Sequence, residues 1–173
     1  VYDIITSAAI IFGCELIRLT EGDLVNIGQL SFYTLHTPDC VDDSLLPKMN
    51  INDSSMVLRL NVGRQKILFL SDSEWICNLQ LLKEHRDELS ADIVQIAHHG
   101  CGNVSEECYL AINAKIYLLQ AGNRFYYSDG GEGLNSYNTG IIRTRRMLCK
   151  YGIKEFCDRN GMLAFPLPVQ TQF

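Results

Sequence analysis

The alternation of apolar and polar positions divides the chain into elements. Residues 30 to 36 (LSFYTLH) and 55 to 62 (SMVLRLNV) read as strands, and the second alternates apolar and polar positions, the mark of a strand with one buried face. Gly63 centres a turn and 66 to 70 form a more apolar third strand, so 56 to 70 predicts a hairpin. After Asp72 the period lengthens. Ile76, Leu79 and Leu82 fall at helical spacing, with Ser71 or Ser73 placed to cap the helix. Then ADIVQIA predicts a strand, SEECYLAINA a short helix, KIYLLQA a strand, and NTGIIRTRRMLCKYG a helix closed by Gly152. IKEFCD and GMLAFPL read as a strand pair around an RNG turn. Five glycines and no apolar period between 121 and 140 mark a long loop, of the size that is usually functional or mobile. Strands that alternate first with each other and then with helices give an α/β or α+β class, with helices on the outer face of mixed sheets.

Composition narrows this picture modestly. With 173 residues, 47% of them hydrophobic, the chain suits one domain with a real core. A net charge of −5 argues against broad electrostatic capture of nucleic acid or anionic membrane. The longest apolar stretch, VYDIITSAAIIFGC, is shorter than the roughly 20 residues a bilayer span needs and contains Asp3, so no membrane segment is visible. Seven cysteines, an odd number with no C-x-x-C pair, suit reduced thiols and a cytoplasmic location. The chain begins at Val1 without an initiator methionine or a signal peptide, which is expected of a piece of something longer.

Two strand ends carry the candidate chemistry. One apolar strand ends in Ser71-Asp72 and another in His98-His99. Asp and His brought together over a sheet edge could bind zinc, manganese or iron, and water acidified by the metal would be a hydrolytic nucleophile. Two ligands are one short of the three that a catalytic zinc takes from protein. If strand geometry runs through residue 99, the two histidines face opposite ways, and His98 shares a face with Val94 and Ile96, favouring it as the inward ligand. Each residue also has a bland reading. Asp72 could cap a helix, the His pair could bond backbone, and His36 could end a strand before a proline turn. His85 reads as a solvated helix residue, and Arg143, Arg146 and Lys150 as a solvated helix face that could alternatively grip phosphate.

In order, NINDSSMVLRLNVGRQKILFLSDSEW, ADIVQIAHHGCG, NAKIYLLQAGNRFYY and YGIKEFCDRNGMLAF resemble the second half of a metallo-β-lactamase-fold hydrolase, closest to the subgroup with the C-terminal domain of ComEC-type DNA-uptake proteins. The resemblance runs from about Gly22 to about Phe165. It implies the C-terminal half of an αββα sandwich, a single partial domain over 1–173, and in the intact protein two divalent metals, zinc or else manganese or iron. It makes Asp72 the metal-bridging aspartate and His98 or His99 a ligand, with His36 nearest the family's middle histidine. Asn52, Asp53, Ser54 and Ser55 would line the site edge. The implied reaction is attack of metal-bound hydroxide on a phosphodiester or ester bond of a small molecule or of nucleic acid, with Arg143, Arg146 or Lys150 contacting phosphate.

The early H-x-H-x-D-H signature is absent, Ser71 replaces the usual glycine, Cys101 the usual serine, and NRFYYSDGG has no histidine. The resemblance therefore implies a C-terminal portion whose N-terminal half lies before Val1, with poor metal binding, little activity as a fragment and an uncovered apolar sheet face. The alternative is a non-catalytic relative of the same fold serving as a binding or scaffold module.

Overall fold

A computed structural model describes residues 2–126 and 139–164. Helix α1 (Tyr2–Phe12) precedes β1 (Leu24–Ile27), β2 (Leu30–His36), β3 (Val57–Val62) and β4 (Gln65–Phe69). Next come α2 (Trp75–Glu84), β5 (Ile93–Gln95), α3 (Glu106–Ile112), β6 (Ile116–Leu119), α4 (Asn123–Tyr126), α5 (Thr139–Lys150) and β7 (Glu155–Cys157). The strands form one seven-stranded sheet in sequential order, β1-β2-β3-β4-β5-β6-β7. β1 to β4 pair antiparallel, β1–β2 and β3–β4 through tight turns and β2–β3 through the long connection 37–56, whereas β4 to β7 pair parallel across a helix or longer connection between consecutive strands. The expected mixed α/β class is the one observed.

Period-two alternation gives the sheet two faces. Leu35, Val57, Leu68, Leu70, Val94, Ile96, Tyr117 and Leu119 point into one core, with Cys77 and Leu81 of α2, Tyr109 and Ile112 of α3, and Ile141 and Leu148 of α5. The other face carries Phe32, Leu60, Ile67, Ile93 and Ile116 in one row across five strands. The first three are half-buried. Outside both faces, α1 leaves Ile4, Ile10, Ile11 and Phe12 more than 70% exposed.

Four expectations need correction. Neither Ser71 nor Ser73 caps α2. The N-cap is Glu74, without a side-chain cap bond, and Asp53 from the preceding turn accepts the Ile76 and Cys77 N–H groups at 2.8 and 3.2 Å. β7 pairs with β6 rather than with 161–167; of that stretch the described residues 161–164 form no strand, and the remainder lies outside the described residues. The strand before the histidines stops at Gln95, so period two does not apply to His98 and His99. His85 is not solvated: it is 9% exposed, with Nε2 at 2.7 Å from Glu21 Oε1 and Nδ1 at 3.1 Å from Glu88 Oε1. The sequence reading also missed α1 and β1, and most of the 121–140 loop (127–138) lies outside the described residues.

Candidate functional site

The C-terminal ends of parallel strands converge on one sheet edge, and the two predicted strand ends meet there. After β4 the chain turns through Ser71, whose φ of 53° lies in the left-handed region. After β5 it turns through three successive left-handed residues, His98 (46°), His99 (53°) and Gly100 (79°). Backbone of this kind in residues with a Cβ persists only where neighbours impose it. The His98 N–H donates to the Ser71 carbonyl (2.9 Å), the Gln95 carboxamide oxygen accepts the Ser71 N–H (2.9 Å), and the Thr144 hydroxyl of α5 donates to the Gly100 carbonyl (2.9 Å). Gly100 is confined to glycine for a second reason, since a Cβ there would lie 3.0 Å from Leu119 Cδ1 and 3.1 Å from Ile141 Cγ1.

This turn sends the two histidines to different partners. His99 Nδ1 lies 2.7 Å from the Gln120 carbonyl at the end of β6. A carbonyl only accepts, so Nδ1 carries the proton and, in the neutral ring, Nε2 keeps the lone pair. Nε2 stands 4.0 Å from Asp72 Oδ1, and both side chains are half exposed. His98 turns the other way, with Nδ1 at 3.0 Å from Glu74 Oε1 and 3.3 Å from the Asn52 amide.

Glu74 is a residue that sequence reasoning passed over. Its carboxylate accepts from Asn50 (3.0 Å), Asn52 (3.1 Å), Asn103 (3.3 Å) and His98, joining three loops to the start of α2. Burial opposes its ionisation, but the hydrogen bonds from Asn52, Asn50, His98 and Asn103 outweigh that and hold the carboxyl below its ordinary range. The signal available in the sequence was the asparagine-rich stretch at 50–52.

The other expected residues are placed as follows. Asp53 is buried and fully occupied: Oδ1 receives the two α2 amides and Oδ2 the Asn50 amide at 3.1 Å, so it is a structural cap rather than a lining group. The exposed Ser54 hydroxyl donates to the Ile51 carbonyl, and Ser55 is the half-buried C-cap of that turn. His36 ends β2 on the same sheet edge but is 1% exposed, with Nδ1 at 3.2 Å from the Cys40 thiol. Burial lowers its pKa. Arg143 donates to Asn103 (2.6 Å), Lys150 pairs with Glu106 (2.6 Å), and Arg146 is exposed. The thiol of Cys101, beside the histidines, is pushed up by burial and then by the Asp72 charge. All seven cysteines are free.

Imidazole nitrogen and carboxylate oxygen suit a divalent transition ion, and the Gln120 carbonyl orients His99 as a ligand-orienting partner would. The donor types fit, but the number is short. Among the described residues no group of three or more His, Cys, Asp or Glu side chains could hold a metal ion.

No protein-family model matches the chain, and no curated protein matches it by sequence. Solved structures do. A protein from Parabacteroides distasonis described as a metal-dependent hydrolase shares 12% identity at a TM-score of 0.51, over 88% of this chain and 61% of that one. An isothiocyanate hydrolase from Delia radicum gut bacteria shares 16% at 0.51, over 92% and 64%. The metallo-β-lactamase-fold protein YhfI from Bacillus subtilis shares 10% at 0.48, over 86% and 55%. Two of these neighbours are thus named as hydrolases, and the third for the metallo-β-lactamase fold. The likeness is one of fold. The chain spans less than two thirds of the length of each, and none of the three is a ComEC-type protein. Among the described residues no helix is long and apolar enough to cross a membrane.

Proposed function

We propose that the chain is one partial domain of a metal-dependent hydrolase, in which Asp72 and His99 hold a divalent ion at the sheet edge. The observation that carries this reading is the His99 ring, whose Nδ1–H is fixed by the Gln120 carbonyl while Nε2 faces Asp72. A divalent ion there would supply Lewis acidity toward the scissile bond and the attacking water. The chain's own residues do the positioning. Gln120 sets the His99 tautomer, Gln95 and the His98 amide lock the Ser71–Asp72 turn against the histidine turn, and Glu74 draws the His98 ring away from Asp72. Zinc is the first choice of ion, with manganese and iron as alternatives.

Free thiols support a reducing compartment such as the cytoplasm. A kinship with the ComEC-type subgroup rests on the NDSS and HHGC stretches alone. The phosphodiester reading loses support from the basic helix, because Arg143 and Lys150 are engaged by Asn103 and Glu106.

With two protein ligands in place of three or four, zinc should bind the chain with a Kd on the order of 10 µM or weaker. Calorimetric titration of zinc should give saturable binding that His98→Ala retains and His99→Ala loses. Loss with His98→Ala and retention with His99→Ala would sink this ligand choice. A second reading, a non-catalytic binding or scaffold module of the same fold, is favoured by the pairing of only two donors among the described residues. Absence of saturable zinc binding in all three proteins would establish that reading over the first.

A further inference from the structure

At the ends of β6 and β7 lies a cleft of about 270 Å3. It is lined by Leu118, Gln120, Phe156, Asp158, Met162 and Leu163, among others. Gln120 belongs to this lining, and its carbonyl holds the His99 ring, so one residue links the cleft to the Asp72–His99 pair. Leu118 and Phe156 are register partners on adjacent parallel strands and share the sheet face turned away from the helices. Met162 is 93% exposed and Leu163 41% among the described residues, two apolar side chains at the cleft. The volume lies just under the ~300–1,000 Å3 usual for ligand sites, which sizes the occupant as one ring or a short branched chain.

The polar equipment of the cleft is acidic. Asp158 accepts the Ala121 N–H at 3.0 Å through Oδ1, which fixes the carboxylate at the cleft wall and leaves Oδ2 for a ligand. Two cations stand near. Lys154 lies 5.1 Å from the Phe156 ring centroid, and the Arg159 guanidinium stacks 4.4 Å from the Tyr126 centroid. Neither lines the cleft.

The geometry points to a substrate subsite: the cleft receives an aryl or branched alkyl arm bearing an N–H donor, with the arm on Leu118, Phe156 and Leu163 and the donor on Asp158. This rests on the reading of Asp72 and His99 as the reacting edge. It makes the substrate a small, uncharged or cationic molecule.

The test uses the chain as it is, without added metal, and follows backbone amide and methionine methyl resonances during titration with benzylamine and, separately, benzoate. Benzylamine should produce saturable shifts confined to 118–120, 156–158 and 162–163, and should bind about tenfold more tightly than benzoate, the worth of one charge-assisted hydrogen bond. Leu163→Asp, at an exposed position, should weaken the apolar contact. Asp158→Asn should abolish the preference for the amine. Unchanged amide shifts in the Val94 and Leu81 core would certify both variants as folded. Equal binding of the two probes, shifts centred on 4–12, or no saturable shift would overturn the subsite. Because no metal takes part, such a failure would leave the zinc titration of His99 untouched, and a failed zinc titration would leave these shifts in place.

Discussion

Neutral imidazole is the form that the interior tolerates at residue 36. His36 is buried beside the Cys40 thiol, and desolvation lowers its pKa below the ordinary 6.5, against raising contributions from the Asp53 carbonyl and from the Glu21 and Asp53 charges. The sign follows from linkage. Above pH 6.5 the folded and unfolded chains both hold a neutral ring. As pH falls through that value the unfolded chain takes up a proton that the folded chain resists, so stability is lost from there downward. Urea unfolding of wild type and His36→Gln between neutral pH and about pH 5 should show the gap between the two narrowing or reversing as the solution is acidified. A constant gap would mean that the His36 ring does not titrate on unfolding. The same burial explains why His36 could not be placed from sequence. The motif LHTPD shows a histidine at a strand end, whereas the thiol four residues on and the cover over the ring come from the fold.

For helix α2 the important partner lies outside it. Its first amides are satisfied by Asp53, more than twenty residues earlier in the chain, so the start of the helix and the turn before β3 form one unit. Asp53→Ala would leave the Ile76, Cys77 and Asn50 amides without their acceptor in a buried setting, at a cost of about 2–4 kcal/mol. Chemical denaturation at neutral pH should show that loss, and Asp53→Asn should recover part of it through its remaining oxygen. The sequence located α2, α3, α5 and the strands β2 to β6 because each has a clean period of its own. Caps are harder to read. Ser105 caps α3, with the Cys108 N–H on its hydroxyl at 3.1 Å, whereas Ser71 and Ser73 do not cap α2, because Asp53 already accepts its first amides. The two histidines were found as a pair, but their directions depended on three consecutive left-handed residues, a conformation that no periodicity announces. Glu74, with four donors gathered from separate loops, was invisible for the same reason.

Across the whole molecule, apolar surface is unevenly distributed. Nine of the sixteen large apolar side chains exposed among the described residues fall within the first 27 positions, from Ile4 to Ile27, so this end of the molecule rather than the sheet edge governs its solution behaviour. Light scattering after size exclusion should show an apparent mass that rises above 19.5 kDa with concentration. Replacing Ile10 and Phe12 by Glu should hold the mass at the monomer value. A wild-type mass that stays constant would remove this surface as a site of association.

The strand order has a further consequence for how the molecule comes into being. Among the described residues each strand pairs only with the strands just before and after it in the chain, so none of them must be threaded between two that already exist. A folding chain can therefore add these strands one at a time, with each crossover helix in place before the next parallel strand arrives. Asp72 is in place when β4 docks, His99 follows β5, and the Gln120 carbonyl that aims its ring comes only with β6. The hydrogen bond that orients the His99 ring therefore forms only once β6 has docked.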